Sequence, residues 1–202
     1  MDTKKVLSID IGIINLGYVF VEMGETINVL DCNRVDITYM KHDKIPYHDC
    51  KLCHEYCIPD FIDHFVQEQS SLFDEADIIL VERQPPQGLL NVQDLLFIKY
   101  RHKIKLINPN SIHKFFKMTK GDYDLRKIES VNLTIGYLAK FLNFQINERK
   151  HDMSDAMLMC IYYYELNKPK VKVKVKVKVK VKVDIQKYTI DDLEQFRFIK
   201  TF

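Results

Sequence analysis

Four carboxylates in this 202-residue chain stand where acidic side chains are costly. Asp10 closes the apolar run VLSID, and Glu82 follows the run IILV. Asp152 and Asp155 lie three apart in HDMSDA, at the start of an apolar helical stretch. That spacing puts both on one helix face. In open α/β sheets, sites gather at strand ends. A buried carboxylate is unfavourable unless it is paired or metal-bound. Four together repel and take up protons unless cations neutralise them. Oxygen ligands of this kind select Mg²⁺ or Mn²⁺. Two such ions about 4 Å apart can activate water and stabilise the leaving oxygen of a phosphodiester. Taken singly, each acid has an ordinary role open to it. Asp152 can cap its helix, Asp10 can hold the amides of the Gly12–Gly17 turn, and Glu82 can pair with Arg83 or a lysine. Their joint placement points to metal-assisted hydrolysis. Asp10 would bridge two ions, Glu82 would hold one, and Asp152 and Asp155 the other.

A polyanionic substrate also needs cations. Lys99, Arg101, Lys103, Lys105, Lys114, Lys117, Lys120, Arg126 and Lys127 fall in one stretch that holds only Asp122 and Asp124 as acids. Such a surface would steer DNA toward a site whose own acids repel it, although a solvated helix face remains an alternative. His113 and Phe115 are available for further contacts, and His151 for support of Asp152.

A mixed α/β order of elements would position these residues. Strands are expected over Lys5–Ile11, Gly17–Met23, Thr26–Leu30 or on to Cys32, Val35–Tyr39, Ile78–Val81 and Ile104–Ile107. Asn15 and Gly17 would shape the first hairpin. Helices are expected from Pro59 to Ser71, Leu89 to His102, Asn110 or Ser111 to Met118, Asp124 to Leu142 and Asp152 to Leu166. The run Met157–Tyr164 is continuous enough to serve as core, with some tyrosines left for a second subunit.

Charge is uneven. Residues 1–96 carry 7 basic and 17 acidic groups and residues 97–202 carry 23 and 11, which sum to a net +2. Seven of the lysines belong to the alternating tract Lys170–Val183, so the total alone does not argue for nucleic acid. That tract reads as a spacer or a basic edge strand, and Ile190–Phe202 as a short helix. The domain is expected to end near residue 168, with 169–202 as an extension. Hydrophobic residues at 47% exclude a disordered chain. No run approaches eighteen apolar residues, so no transmembrane helix is expected. Nor does the N-terminus read as a secretory signal. Cys50, Cys53 and Cys57, with His48 or His54, could bind a structural Zn²⁺ tetrahedrally. Cys32 is a distant fourth option, and plain reduced thiols are the alternative.

Three segments, DIGIINLGY at Asp10–Tyr18, LVERQPP at Leu80–Pro86 and KHDMSDA at Lys150–Ala156, resemble the acidic motifs of the poxvirus-type Holliday junction resolvases. These are similar to bacterial RuvC and to the mitochondrial resolvases of fungi, within the ribonuclease H-like superfamily. The resemblance implies a homodimeric, Mg²⁺-dependent endonuclease that nicks a four-way DNA junction in two opposed strands and leaves 5′-phosphates. It implies an intracellular setting, where viral DNA is replicated. The family's metal-binding acids fall on Asp10, Glu82, Asp152 and Asp155, and its functional lysine falls on Lys127. The cysteine–histidine cluster and the lysine–valine tract depart from the family. Rival readings are a plain ribonuclease H acting on RNA–DNA hybrids, an actin-like or sugar-kinase-like ATP phosphotransferase, and an inactive nucleic-acid-binding module.

Overall fold

The computed structural model describes residues 2–38 and 57–168. Its centre is a five-stranded mixed sheet. Strands β1 (Lys4–Asp10), β2 (Leu16–Met23), β3 (Ile27–Val35), β4 (Ile78–Glu82) and β5 (Ile104–Ile107) lie in the order β3-β2-β1-β4-β5. The first three form antiparallel pairs, whereas β4 and β5 run parallel to β1. Crossovers to parallel strands need helices, and these cover both faces. The ribonuclease H-like mixed sheet expected from the motifs is the one observed.

Alternation along the strands divides the core. Val6, Val19, Val21, Ile78 and Leu80 pack beneath helix α7 (Lys150–Asn167). Leu7, Ile9, Tyr18, Phe20, Ile79 and Val81 face helices α1 (Ile58–Glu68), α2 (Ser70–Glu75) and α3 (Leu90–Lys99). The remaining helices, α4 (Pro109–Phe115), α5 (Tyr123–Leu138) and α6 (Leu142–Ile146), close over the α7 side. Residues 153, 154 and 156–160 of α7 are all buried. A helix apolar on every side belongs inside, and α7 lies between the sheet and α5. Its aromatic end, Tyr162–Tyr164, packs against the same core. Residues 153, 154 and 156–160 thus build the subunit interior, and Tyr162–Tyr164 are only half-buried at its edge.

Several boundaries differ from expectation. β3 runs unbroken to Val35, with a bulge opposite Phe20 and Val21, and no separate strand begins at Val35. α4 begins at Pro109 because Asn108, not Asn110 or Ser111, is its cap, accepting a bond from the Asn110 amide. α5 stops at Leu138, and Leu142 belongs to the short α6. Asp152 is no N-cap. Arg149 holds that position, and Asp152 lies within the first turn.

Gly17 links strand to helix. A Cβ at this position would lie 2.2 Å from the carbonyl oxygen of Asp152. The bare glycine is what lets the first turn of α7 rest on β2. In register, Gly17 is the partner of Asp10. The close approach thus places the helix's acids beside the end of β1. The reading of Gly17 as a hairpin former gives way to this packing role. Gly12 has the turn role instead, for a Cβ there would meet the Asn15 carbonyl at 2.4 Å.

The cysteine–histidine cluster is only partly described. His48, Cys50, Cys53 and His54 lie outside the described residues, as do the lysine–valine tract and Ile190–Phe202. Cys57 is half-buried and free at the N-cap of α1. Cys32 is buried under α7, whereas α1 packs on the opposite face of the sheet. Cys32 is thereby removed as a ligand for a site at Cys57. Burial pushes its thiol up to about 12, as it does for Cys160 inside α7. No helix among the described residues is long and apolar enough to cross a membrane.

Candidate functional site

Same-face residues of β1 and β4 pair as Val6 with Ile78 and Ser8 with Leu80. Two residues further along, the same alternation brings Asp10 and Glu82 side by side at the ends of two parallel strands. Both carboxylates open into a cleft of about 570 Å³, which Asp152 and Asp155 of α7 also line. The four acids singled out by sequence therefore converge, although they come from three separate elements.

Electrostatics confirm their closeness. Burial raises the Asp10 carboxyl well above the usual carboxylate range, and Asp155, Glu82 and Asp152 add to the rise. Glu82 is raised by burial, while hydrogen bonds from Gln84 and Asp10 pull it back. The hydrogen bond between the two acids works in opposite senses, raising Asp10 and lowering Glu82. Asp155 is pushed up to about 7, chiefly by burial and against a hydrogen bond donated by the Ser130 hydroxyl.

Three of the acids have a support that the sequence reading did not assign. Gln84 donates to Glu82 Oε2 at 2.9 Å, its amide N–H bonds Gln93, and its side-chain oxygen accepts from the Leu89 amide. The segment after β4 is thereby tied to the start of α3. Ser130 belongs to a buried polar pair with Thr134 on the inner face of α5. Two small polar residues four apart on an otherwise apolar face were the available signal. Asp152 is 5% exposed and is gripped at both oxygens by Arg149, Nε to Oδ2 at 3.0 Å and Nη2 to Oδ1 at 3.2 Å. The nearest ring nitrogen of His151 lies 3.2 Å from Asp152 Oδ1 but outside hydrogen-bonding geometry. Burial, only partly offset by Asp152, lowers the affinity of His151 for a proton. Asn15 does not serve turn amides. It lines the cleft, and its side-chain oxygen accepts from Arg34 at 2.7 Å.

The basic residues separate into groups. Lys127 and Arg126 line the cleft, and Lys127 Nζ lies 3.9 Å from the centre of the exposed Tyr123 ring and 3.6 Å from Asp124. Lys114 is exposed in the last turn of α4, and Lys117 and Lys120 are exposed on the chain that leads to α5. Lys105 is exposed on β5 with its ammonium over Tyr163, and Arg101 is exposed beside Phe97. Lys99 instead pairs with Asp63 of α1 at 2.6 Å. Lys103 donates to the carbonyls of Phe73 and Ala76, capping the end of α2. These last two work in the helix layer across the sheet from the acids. His113 lines the cleft with its proton affinity lowered by burial and Arg126, whereas Phe115 packs edge-on against Phe116 and Tyr162.

A donor set made of carboxylate oxygens, partly buried and mutually repelling, fits a hard divalent cation. Among the described residues, no three acidic, histidine or cysteine side chains are grouped to hold an ion as they stand.

A family model described as poxvirus A22 protein matches residues 4–168. No curated protein matches the sequence. Among solved structures, the fowlpox virus resolvase in complex with Holliday junction DNA is similar over 80% of this chain and 97% of its own, at 15% identity and a TM-score of 0.58. The yeast mitochondrial Holliday junction resolvase is similar over 80% and 79%, at 17% identity and a TM-score of 0.54. RuvC of T. thermophilus, with its Holliday junction substrate, matches over 81% and 96%, at 12% identity and a TM-score of 0.51. At these identities the structures share the fold.

Proposed function

Because this chain belongs to the poxvirus A22 protein family, we propose that it is a Holliday junction resolvase, a nuclease that cuts four-way DNA by paired phosphodiester hydrolysis. The observation that carries the reading is the convergence of Asp10, Glu82, Asp152 and Asp155 in one cleft whose rim holds Arg126, Lys127 and Arg149. Acids at the floor and cations at the rim suit a phosphate that must be held while a divalent metal is bound beneath it.

Asp10, Glu82, Asp152 and Asp155 would hold Mg²⁺ or Mn²⁺, with Asp10 central because it neighbours the other three. The metal would supply charge neutralisation and an acidified water. Ser130 keeps the Asp155 carboxylate turned into the cleft, and Gln84 does the same for Glu82. Lys127 would meet a phosphate oxygen as charge builds on it. Water adds to phosphorus, the 3′-oxygen leaves with a proton, and the strand ends as a 5′-phosphate and a 3′-hydroxyl.

Two opposed cuts call for two copies, as a two-fold protein suits a two-fold substrate. A surface suited to pairing is the outer face of α5. Leu125, Ile128 and Ile135 are exposed there, at 46%, 57% and 49%. Gly136 adjoins them, and a Cβ on it would meet nothing within 4 Å.

The test presents labelled four-way junction, linear duplex and RNA–DNA hybrid with Mg²⁺ or Mn²⁺. Paired nicks in opposite arms, lost in Asp10→Asn while junction binding persists, are the expected result. Cleavage of the hybrid in preference to the junction would make the protein a ribonuclease H instead.

A further inference from the structure

The bidentate grip on Asp152 by Arg149 leaves a question that the proposed nuclease does not answer. Both oxygens of Asp152 are engaged by one guanidinium. A carboxylate so engaged already has its charge compensated, and a cation must compete with the guanidinium for it. The arginine is not itself locked away, for its side chain is 40% exposed against 6% for that of Asp152. Its backbone is fixed separately, since the Arg149 amide bonds the Asn147 side chain at 2.9 Å. The side chain can therefore leave without disturbing the start of α7. It lines the same cleft as Lys127 and Arg126.

We propose that Arg149 is a mobile counter-ion which neutralises Asp152 in the free protein and transfers to a DNA phosphate when a divalent cation claims that carboxylate. Arginine suits both positions. Its planar fork matches carboxylate and phosphate alike, and it keeps its charge throughout. The exchange is a positioning device that links two binding events. Metal entry frees a phosphate-binding fork, and DNA that captures the fork opens Asp152 to metal. Linkage makes the effect reciprocal. Without DNA, the arginine competes with the metal and keeps the site's hydrolytic arrangement incomplete.

The proposal rests on the metal-dependent nuclease reading, and binding measurements separate the two. Mn²⁺ binding to the full chain without DNA is followed by calorimetry for the wild type, Arg149→Gln, Arg149→Lys and Asp10→Asn. Removing the competitor in Arg149→Gln is expected to tighten Mn²⁺ by about tenfold, the scale of one charge-assisted pair. Arg149→Lys, which keeps the charge but loses the fork, should fall between. Junction binding is then measured against salt with Asp10 intact and Ca²⁺ as the ion. There Arg149→Gln should lose about one unit from the slope of log affinity against log salt. Asp152→Asn, which frees the arginine without any metal, should strengthen metal-free junction binding. Unchanged or weaker Mn²⁺ affinity in both Arg149 variants would overturn the proposal, as would an unaltered salt slope. If the wild type takes up no Mn²⁺ that Asp10→Asn fails to bind, the nuclease reading falls with it.

Discussion

At the scale of single residues, the acids are held in a state that only cations can make comfortable. Asp10 and Asp155 both bind protons more tightly in the folded chain than in an unfolded one, where an aspartate titrates near 4. Between those limits the folded state carries the extra proton, so stability must fall as pH rises. The loss begins above about pH 4 and continues through the titration of Asp155 at about 7. Metal-free protein is therefore expected to melt lower at pH 8 than at pH 5, and added Mg²⁺ to raise the melting temperature more at pH 8. Thermal denaturation followed by circular dichroism at both pH values checks this. Asp10→Asn removes the charge without removing the volume. It should raise the metal-free melting temperature at pH 8 by a few degrees, on the order of 1 kcal/mol, and abolish most of the response to Mg²⁺.

At the scale of elements, the site depends on how closely helix and strand can approach. Gly17→Ala would drive a methyl group into the Asp152 carbonyl, and backbone on both sides leaves little room to yield. A loss of about 2–3 kcal/mol is expected in urea unfolding, together with weaker Mn²⁺ binding, because the first turn of α7 must lift. The end of α4 offers the opposite change. The Met118 amide bonds the His113 carbonyl and the Lys117 amide bonds that of Lys114, a Schellman closure that puts Lys117 at φ 55. Lys117→Gly relieves that left-handed position and should stabilise by up to about 1 kcal/mol in the same assay. Elements of this kind were only partly legible in the sequence. The strands and acid positions were visible because a charge ending an apolar run has few explanations. Helix ends were missed where capping came from two residues earlier, as at Asn108, or where a turn split a continuous pattern, as between α5 and α6. The supports of the acids were hidden for a different reason. Ser130 meets Asp155 across 25 residues through tertiary packing, whereas Gln84 and Arg149 stand only two and three residues from Glu82 and Asp152, a nearness that becomes a contact only in the fold. Gly17 could be read as permissive backbone, but not as the seat of a helix more than 130 residues away in the chain.

At the scale of the whole molecule, the sheet separates two kinds of work. The α1–α3 layer is stapled by Lys99 to Asp63 and by Lys103 to the end of α2. The α7 layer carries the acids, the rim cations and the exposed side of α5. Charging that exposed side is expected to affect assembly and spare the fold. Ile128→Asp should convert a dimer to monomers in sedimentation analysis, with the circular dichroism spectrum and melting temperature nearly unchanged. Gly136→Ala should stabilise each subunit by roughly 0.5–1 kcal/mol while weakening self-association, if the bare backbone there receives a second helix. A monomeric Ile128→Asp that still nicks single arms but rarely both would tie paired cutting to two copies.

The seat of α7 on Gly17 carries one more consequence, for the protein during its own synthesis. Asp10 is among the first residues made, and its partners Asp152 and Asp155 emerge some 140 residues later. Domains fold as units, with the N-terminal part waiting on what completes it. A ribosome that has threaded out the sheet alone holds two acids and no cutting centre. Translation that terminates early therefore releases fragments that lack two of the four acids, and the proposed site is complete only when the last helix docks on the first hairpin.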